Sequence, residues 1–320
     1  MSSPVECTAL ALLDSTMRGV VRALVQRATD HDAVAPISEH QLLRLGADNP
    51  AGRWQHLLAR RGESVVGYAI ADRDAAEAEI VVDPDARRTG VGAALLREID
   101  RAVPSDVVRI WAHGNLEAAQ AFARSSGASA ERTLWQLRRP LAAPLPPMTL
   151  PEQLALRTFD AARDEQAWVQ LNAAAFADHP EQGSWTVADL RDREREEWFD
   201  AGGFLIAETT APYGDLQPGE LAGFHWTKIH GPTTAELAAD PDAASRALGE
   251  VYVVGVSPRA QGGGLGKALT IAGLEHLRGK RIPTVLLYVD DDNAPAMALY
   301  RRLGFGEHAV DVQYRHSPHG

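Results

Sequence analysis

Residues 250–277 read EVYVVGVSPRAQGGGLGKALTIAGLEHL, and residues 285–305 continue VLLYVDDDNAPAMALYRRLGF. An apolar strand, Val251 to Val256, stops at Ser257 and Pro258. A glycine cluster follows, and helical spacing of apolar residues begins at about Leu265. A strand, a bare-backbone turn and a helix N-terminus together present unpaired N–H groups and a partial positive charge. That arrangement suits a pyrophosphate. Glycine is needed where a Cβ would block close approach of the backbone or the positive φ angles of the turn. A glycine cluster alone also fits an ordinary turn. The spacing narrows the reading: Gln261-x-x-Gly264-x-Gly266 precedes a second strand (Val285 to Val289), then Asn293, Tyr300, Gly304 and Phe305.

The same succession occurs earlier in the chain. Aligning Pro84 with Pro258 sets Arg87 on Gln261, Gly90 on Gly264 and Gly92 on Gly266 without a gap. After an indel, Asn115 meets Asn293 and Phe122 meets Tyr300. The chain reads as a duplication: a domain over 1–140, a proline-rich linker over 141–152 and a second domain over 153–320. In the first copy, helices are expected over 17–29 and from Glu39. Strands are expected around His56 and over 65–70 and 107–111, and a helical segment from Asn115. In the second, helices are expected over 165–176 and 187–198, and strands over 203–209 and 221–227. The polar stretch 230–248 reads as a flap or as a solvated loop.

Composition excludes several functions. The 45% hydrophobic and 23% charged content is that of an ordinary globular protein. A net charge of −11 argues against a nucleic-acid partner, which needs clustered cations. The apolar runs are too short for a membrane span, and no apolar leader opens the sequence. A single cysteine, Cys7, leaves no intrachain disulfide and no cysteine-rich metal site. The expectation is a cytoplasmic monomer without metal.

These motifs resemble the GCN5-related N-acetyltransferase (GNAT) superfamily, whose acyl-CoA site is built from a Q/R-x-x-G-x-G/A turn. The resemblance implies two tandem α/β (α+β) domains, each a mixed, mostly antiparallel sheet flanked by helices, with acetyl-CoA as co-substrate. It also implies the contacts. Val254, Gly255 and Val256 would meet pantetheine. Gln261, Gly262, Gly263, Gly264, Leu265, Gly266 and Lys267 would cradle the pyrophosphate. Asn293, Ala294, Pro295, Ala296, Met297 and Ala298 would line the remainder. In the first copy Ile80, Val81 and Val82, with Arg88, Thr89, Gly90, Val91, Gly92 and Ala93, would hold a second acetyl-CoA. The family that the whole chain resembles usually carries arginines where this chain has Gly262 and Gly263. Backbone amides and Lys267 must then do more.

Acetyl transfer to an amine needs a base, a polarised carbonyl and an acid for the departing thiolate. Glu250, eight residues before Pro258, fits the base, directly or through water, and also fits a solvated strand-end carboxylate. Tyr300 fits the acid and also fits a core aromatic; Asn293 equally fits a helix cap. In the first copy the position eight before Pro84 is Ala76, and Glu77 and Glu79 would face the other side of a regular strand. With Phe122 in place of Tyr300, that copy reads as an acetyl-CoA-binding, non-catalytic domain.

Two further stretches bear on the acceptor: NAAAFADHPEQGSW (172–185) and GFHWTKIH (223–230). With Val34-Ala-Pro-x-x-Glu39 and the tandem organisation, they resemble the branch of the superfamily that completes mycothiol synthesis. The resemblance covers nearly the whole chain. It implies N-acetylation of the cysteinyl amine of a cysteine–glucosamine–inositol conjugate, with Glu39, Glu181, Lys228, Glu250 and Tyr288 holding the acceptor. The rivals are an acetyltransferase for another small-molecule or peptide amine, and a non-catalytic acetyl-CoA sensor.

Overall fold

The computed structural model describes residues 4–177, 179, 182–240 and 242–318. It divides into two compact units: one runs to Trp135 and includes the segment from Ala309, and the other spans Gln136–His308. In chain order the elements begin β1 (Glu6–Leu10), α1 (Ser15–Asp32), α2 (Glu39–Leu43), β2 (Trp54–Arg61), β3 (Ser64–Asp72) and β4 (Glu77–Val82). Next come α3 (Val91–Ala102), β5 (Val108–Ala112), α4 (Glu117–Ser125), β6 (Ser129–Pro140), β7 (Leu154–Thr158), α5 (Ala161–Ala175) and α6 (Val187–Glu194). The chain continues with β8 (Phe204–Thr209), β9 (Leu221–His230), α7 (Thr234–Ala239), β10 (Leu248–Val256) and α8 (Leu265–Gly279). It closes with β11 (Thr284–Asp290), α9 (Ala294–Arg302) and β12 (Gly306–His316). The sheet of the first unit runs β1-β2-β3-β4-β5-β12, and that of the second β6-β11-β10-β9-β8-β7. Both are mixed and mostly antiparallel, with helices on each face, as expected from the sequence. Among the described residues no helix is long and apolar enough to cross a membrane.

Each sheet is covered on both faces. In the first unit α1, capped by Asp14 on Met17 N (2.7 Å), buries Val21, Leu24, Val25 and Ala28 against Leu58, Tyr68, Ile70 and Val81. The opposite face packs Ala69, Ala71 and Ala78 on α3 through Val91, Leu95 and Ile99. In the second unit α5 and α6 cover an aromatic floor of Phe204, Phe224 and Trp226, centred on the fully buried Trp168. Beneath the other face lies α8. There His225 on β9, fully buried and pushed down to about 4 by desolvation, fills the space a side chain at Gly273 would need.

In both units the parallel pair is brief. β4 pairs with β5 only over Glu77–Glu79, and β10 with β11 only over Leu248–Glu250. Beyond those points Ile80–Val82 and Val254–Val256 keep an edge whose N–H and C=O groups face no strand.

Register corrects the sequence reading of the first copy. β10 carries an irregularity between Val251 and Val253, whereas β4 pairs evenly with β3. Gly67 opposite Val82 matches Gly223 opposite Val256. Counting from there, the extra residue in β10 sets Glu77, not Ala76, at the position of Glu250. Glu77 and Glu79 therefore lie on the same face as Glu250 does in its own unit. The assumption of a regular strand failed at Tyr252.

Other departures lie in polar strands. β1, β6 and β12 were not read, and Arg139, just ahead of the expected linker, is a buried β6 residue whose guanidinium donates to the carbonyls of Leu303 and Ala143. Stretch 230–248 is not a plain loop. It carries the end of β9, α7 and a turn that buries Ala243 and Ala244. The helix expected over 187–198 stops at Glu194.

Two outcomes follow for stability. Gly273→Ala would set a methyl within 2.2 Å of His225 Nε2. Instead of the usual gain of a helical Gly→Ala change, urea unfolding should report a loss of about 1–3 kcal/mol. A gain would overturn the packing. In the first unit His113 contacts Asp311 (3.0 Å) and Glu79 (3.4 Å). Burial alone would lower it, but the two carboxylates outweigh that and hold the imidazolium up to about 10. A raised folded value stabilises the protonated form, so the contribution is complete below about pH 6.5 and fades as pH rises through about 10. The stability gap between parent and His113→Gln should shrink across that window.

Candidate active site

The turn after β10 is fastened at its start by Ser257 Oγ, which accepts from Arg259 N (3.3 Å). Gly262 and Gly264 adopt φ of +91° and +77°, a region costly for residues with a Cβ. α8 then begins with no side-chain cap and no acidic residue in its first turn, and its first helical bond runs from Ala268 N to Gly264 O. The amides of Leu265, Gly266 and Lys267 thus have no helical acceptor. Beside them lies a cleft of about 380 Å³ lined by Gly263, Gly264, Lys267, Leu150 and Pro151. Bare donors, a positive helix end, an exposed lysine and an open strand edge fit the phosphates and pantetheine of an acyl-CoA.

This turn is met by a tyrosine from elsewhere in the chain. A Cβ at Gly263 would fall 2.1 Å from the Tyr213 hydroxyl. Tyr213 lies in the β8–β9 loop, closed by its reciprocal backbone bonds with Leu216 and anchored by Arg259 on Glu220 (2.8 Å). Any side chain at Gly263 would have to displace the Tyr213 hydroxyl.

The first unit repeats the turn with Gly90 at φ +87° and α3 uncapped by a side chain, Arg88 at φ +59° and Thr89, Val91, Gly92 and Ala93 following. Two features differ. Arg87 is drawn away by a bidentate pair with Asp32. The Phe122 ring rests on Gly92, 3.2 Å from where its Cβ would be.

On the opposite side of the second sheet, three expected acceptor residues share a face. Glu250 pairs with Lys228 across β9 and with Leu286 on β11, so Lys228, Glu250 and Tyr288 project together. Lys228 is buried with its ammonium over the rings of Trp198 (4.7 Å) and Tyr252 (5.5 Å). The irregularity in β10 turns Tyr252 to this face, where Arg193 Nε donates to its hydroxyl (3.0 Å). The Glu250 side chain is 10% exposed and accepts from His230 Nε2 at 2.7 Å. Tyr288 is 44% exposed, and its hydroxyl accepts from Gln136 Nε2 (2.7 Å). Glu39 is exposed in the first turn of α2 in the first unit. Glu181 lies outside the described residues.

Its neighbours have a visible task. The buried Asn172 and Gln182 exchange hydrogen bonds (2.6 and 3.0 Å), and a side chain at Gly183 would strike the Phe176 carbonyl at 2.4 Å. Asn172, Gln182 and Gly183 of the signature thus serve hydrogen bonding and packing.

Tyr300 is buried on α9 with its ring edge-on to Phe305, and burial pushes its hydroxyl up to about 12. It stays protonated at neutral pH, as an acid must. Asn293 caps α9 by accepting from Ala296 N (3.2 Å), with Ala294, Pro295, Met297 and Ala298 in the turns behind it. Capping and cofactor contact remain compatible.

Several interacting residues escaped the sequence reading, among them His230, Tyr213, Gln136, Tyr252 and Trp198. Only His230 had left a signal, because it is two residues beyond Lys228 and shares its face once β9 is extended.

Two sequence profiles match the chain. The Acetyltransferase (GNAT) family profile covers residues 166–305, and an Acetyltransferase (GNAT) domain profile covers 52–127. Both units are GNAT acetyltransferase domains. The fold is also that of a tandem GNAT protein from the clavulanic acid biosynthesis pathway, with TM-score 0.70, 22% identity and 98% of each chain covered. A GCN5-related N-acetyltransferase from Sphaerobacter thermophilus gives 0.69 and 22%, covering 98% of this chain and 96% of that one. Mycothiol acetyltransferase from Thermomonospora curvata is 48% identical over 93% of both chains. That from Acidothermus cellulolyticus is 48% identical over 92% of this chain and 89% of its own. The chain belongs to the mycothiol acetyltransferase family. It is an N-acetyltransferase, and the donor such enzymes use is acetyl-CoA.

The Tyr213 contact can be tested directly. Gly263→Arg should weaken acetyl-CoA binding and lower stability by about 1–3 kcal/mol, since the arginine must displace the ring. Adding Tyr213→Ala should restore much of both. Unchanged titration and unfolding curves for the single variant would refute the contact.

Proposed function

We propose that the second unit acetylates the cysteinyl amine of a cysteine–glucosamine–inositol conjugate, the last step of mycothiol synthesis. The observation that carries this is the shared face of Lys228, Glu250 and Tyr288 in a chain so close to mycothiol acetyltransferases. The acceptor enters as an ammonium. Glu250 takes its proton, directly or through water, and the free amine attacks the thioester carbonyl. The new N–C bond forms as the C–S bond breaks, Tyr300 protonates the departing thiolate, and the second proton shed by the acylated nitrogen restores the Tyr300 hydroxyl through solvent. Backbone N–H groups on the open edge of β10 polarise the carbonyl. No acetyl-enzyme is required. Lys228 and Tyr288, with Glu181, hold the sugar and inositol hydroxyls through charge-assisted hydrogen bonds.

The first unit, in this reading, binds acetyl-CoA without turning it over. Phe122 brings no hydroxyl, and Glu77, although at the register of Glu250, accepts from Gln313 Nε2 (2.9 Å). The working form is a cytoplasmic monomer.

The test is CoA release from acetyl-CoA with cysteinyl-glucosaminyl-inositol. The parent should turn over, and Glu250→Gln and Tyr300→Phe should each lower kcat by roughly 10²–10⁴-fold. Acetyl-CoA binding without turnover would remove the acceptor assignment. Parent-like kcat in Glu250→Gln at every pH would remove the base.

A further inference from the structure

Glu250 must present a lone pair to an ammonium while sitting at the junction where β11 leaves β10. A glutamate carries three rotatable bonds, so a base that is not held spends much of its time misaimed. Among the described residues, the hydrogen bond on this carboxylate comes from His230, whose Nε2 lies 2.7 Å from Oε2. Among the described residues nothing comparable occupies Oε1. The carboxylate accepts only, so the hydrogen sits on Nε2 of His230. That ring is in turn delivered by a fixed backbone. His230 ends β9 opposite Leu248, and the next residue, Gly231, is held close to the carbonyl of Arg246. The imidazole is itself 35% exposed. It is not a core histidine, and packing does not explain its place.

Lys228, Tyr252 and Tyr288 share this face. Lys228 and Tyr288 have roles toward the acceptor in the proposed reaction, and Tyr252 supports Lys228. His230 has none. We propose that His230 is a positioning residue for the base: it ties down Oε2 of Glu250 so that Oε1 is aimed at the acceptor ammonium. The proton then moves from nitrogen to Oε1, and His230 neither gains nor loses one. This rests on Glu250 being the base.

Three substitutions separate holding from folding. His230→Phe keeps the ring volume and removes the donor, His230→Gln keeps an N–H donor, and His230→Ala leaves room for free imidazole. His230→Phe and His230→Ala should lower kcat roughly 10- to 100-fold, with KM for acetyl-CoA unchanged. His230→Gln should retain most of the activity, and added imidazole should restore His230→Ala. In a Glu250→Gln background, His230→Phe should cost nothing further, because the group it holds is already disabled. The proposal is overturned if His230→Phe stays within about twofold of the parent, or if it costs the same factor in the Glu250→Gln background. Thermal unfolding of each variant identifies any that fails to fold, and the double-variant comparison then decides. If the parent acetylates some other amine, the acceptor assignment falls, while the same series of variants, assayed with that amine, still tests the role of His230.

Discussion

The chemistry of the second unit depends on two strands that stay together for only three residues. β11 pairs with β10 from Leu248 to Glu250 and then departs. A backbone edge inside a domain is normally satisfied by a neighbour, since unpaired amides and carbonyls are costly once buried. Here the edge is kept open and its groups are left for a ligand. The glycine turn and the uncapped start of α8 continue the same design, a further series of donors without internal partners. Glu250 is the last paired residue. Glu250, the base of the proposed reaction, therefore sits where the strand is still held on both sides, immediately before one edge opens.

The two units start from this plan and diverge in small ways. The first keeps the brief parallel pair, the positive-φ glycine and the uncapped helix. It uses Arg87 to pair with Asp32 and places the Phe122 ring on Gly92. The second gains one residue in β10. That insertion turns Tyr252 toward the acceptor face, where its ring supports Lys228. A single-residue bulge thus builds part of a site and also conceals the kinship of Glu77 with Glu250.

What could be read from sequence follows from where physics writes a periodic signal. Val251 to Val256, the helix from Leu265 and the glycine spacing were legible because burial and backbone conformation restrict the residues allowed there. β6 and β12 were not, since their charged and polar side chains are satisfied by partners distant in sequence, such as Arg109 with Glu131 and Glu77 with Gln313. Lys228, Glu250 and Tyr288 could be placed from the resemblance, but their common face needed the register of three strands. Tyr213 was beyond reach. Nothing in a loop between β8 and β9 announces that it will pack against a turn some fifty residues later in the chain.

The segment from Ala309 belongs to the first unit, where Asp311 meets His113 and Gly114 N, and the Tyr314 hydroxyl donates to Asn115. During synthesis these residues emerge only after the whole second unit has been made. The first unit must wait with β5 uncovered and the His113 imidazolium without its Asp311 counter-charge. Vectorial folding from the N-terminus, the usual order for tandem domains, cannot complete the first sheet of this chain until the C-terminal strand is made. A nascent form halted before Ala309 would expose a strand edge of the kind chaperones recognise.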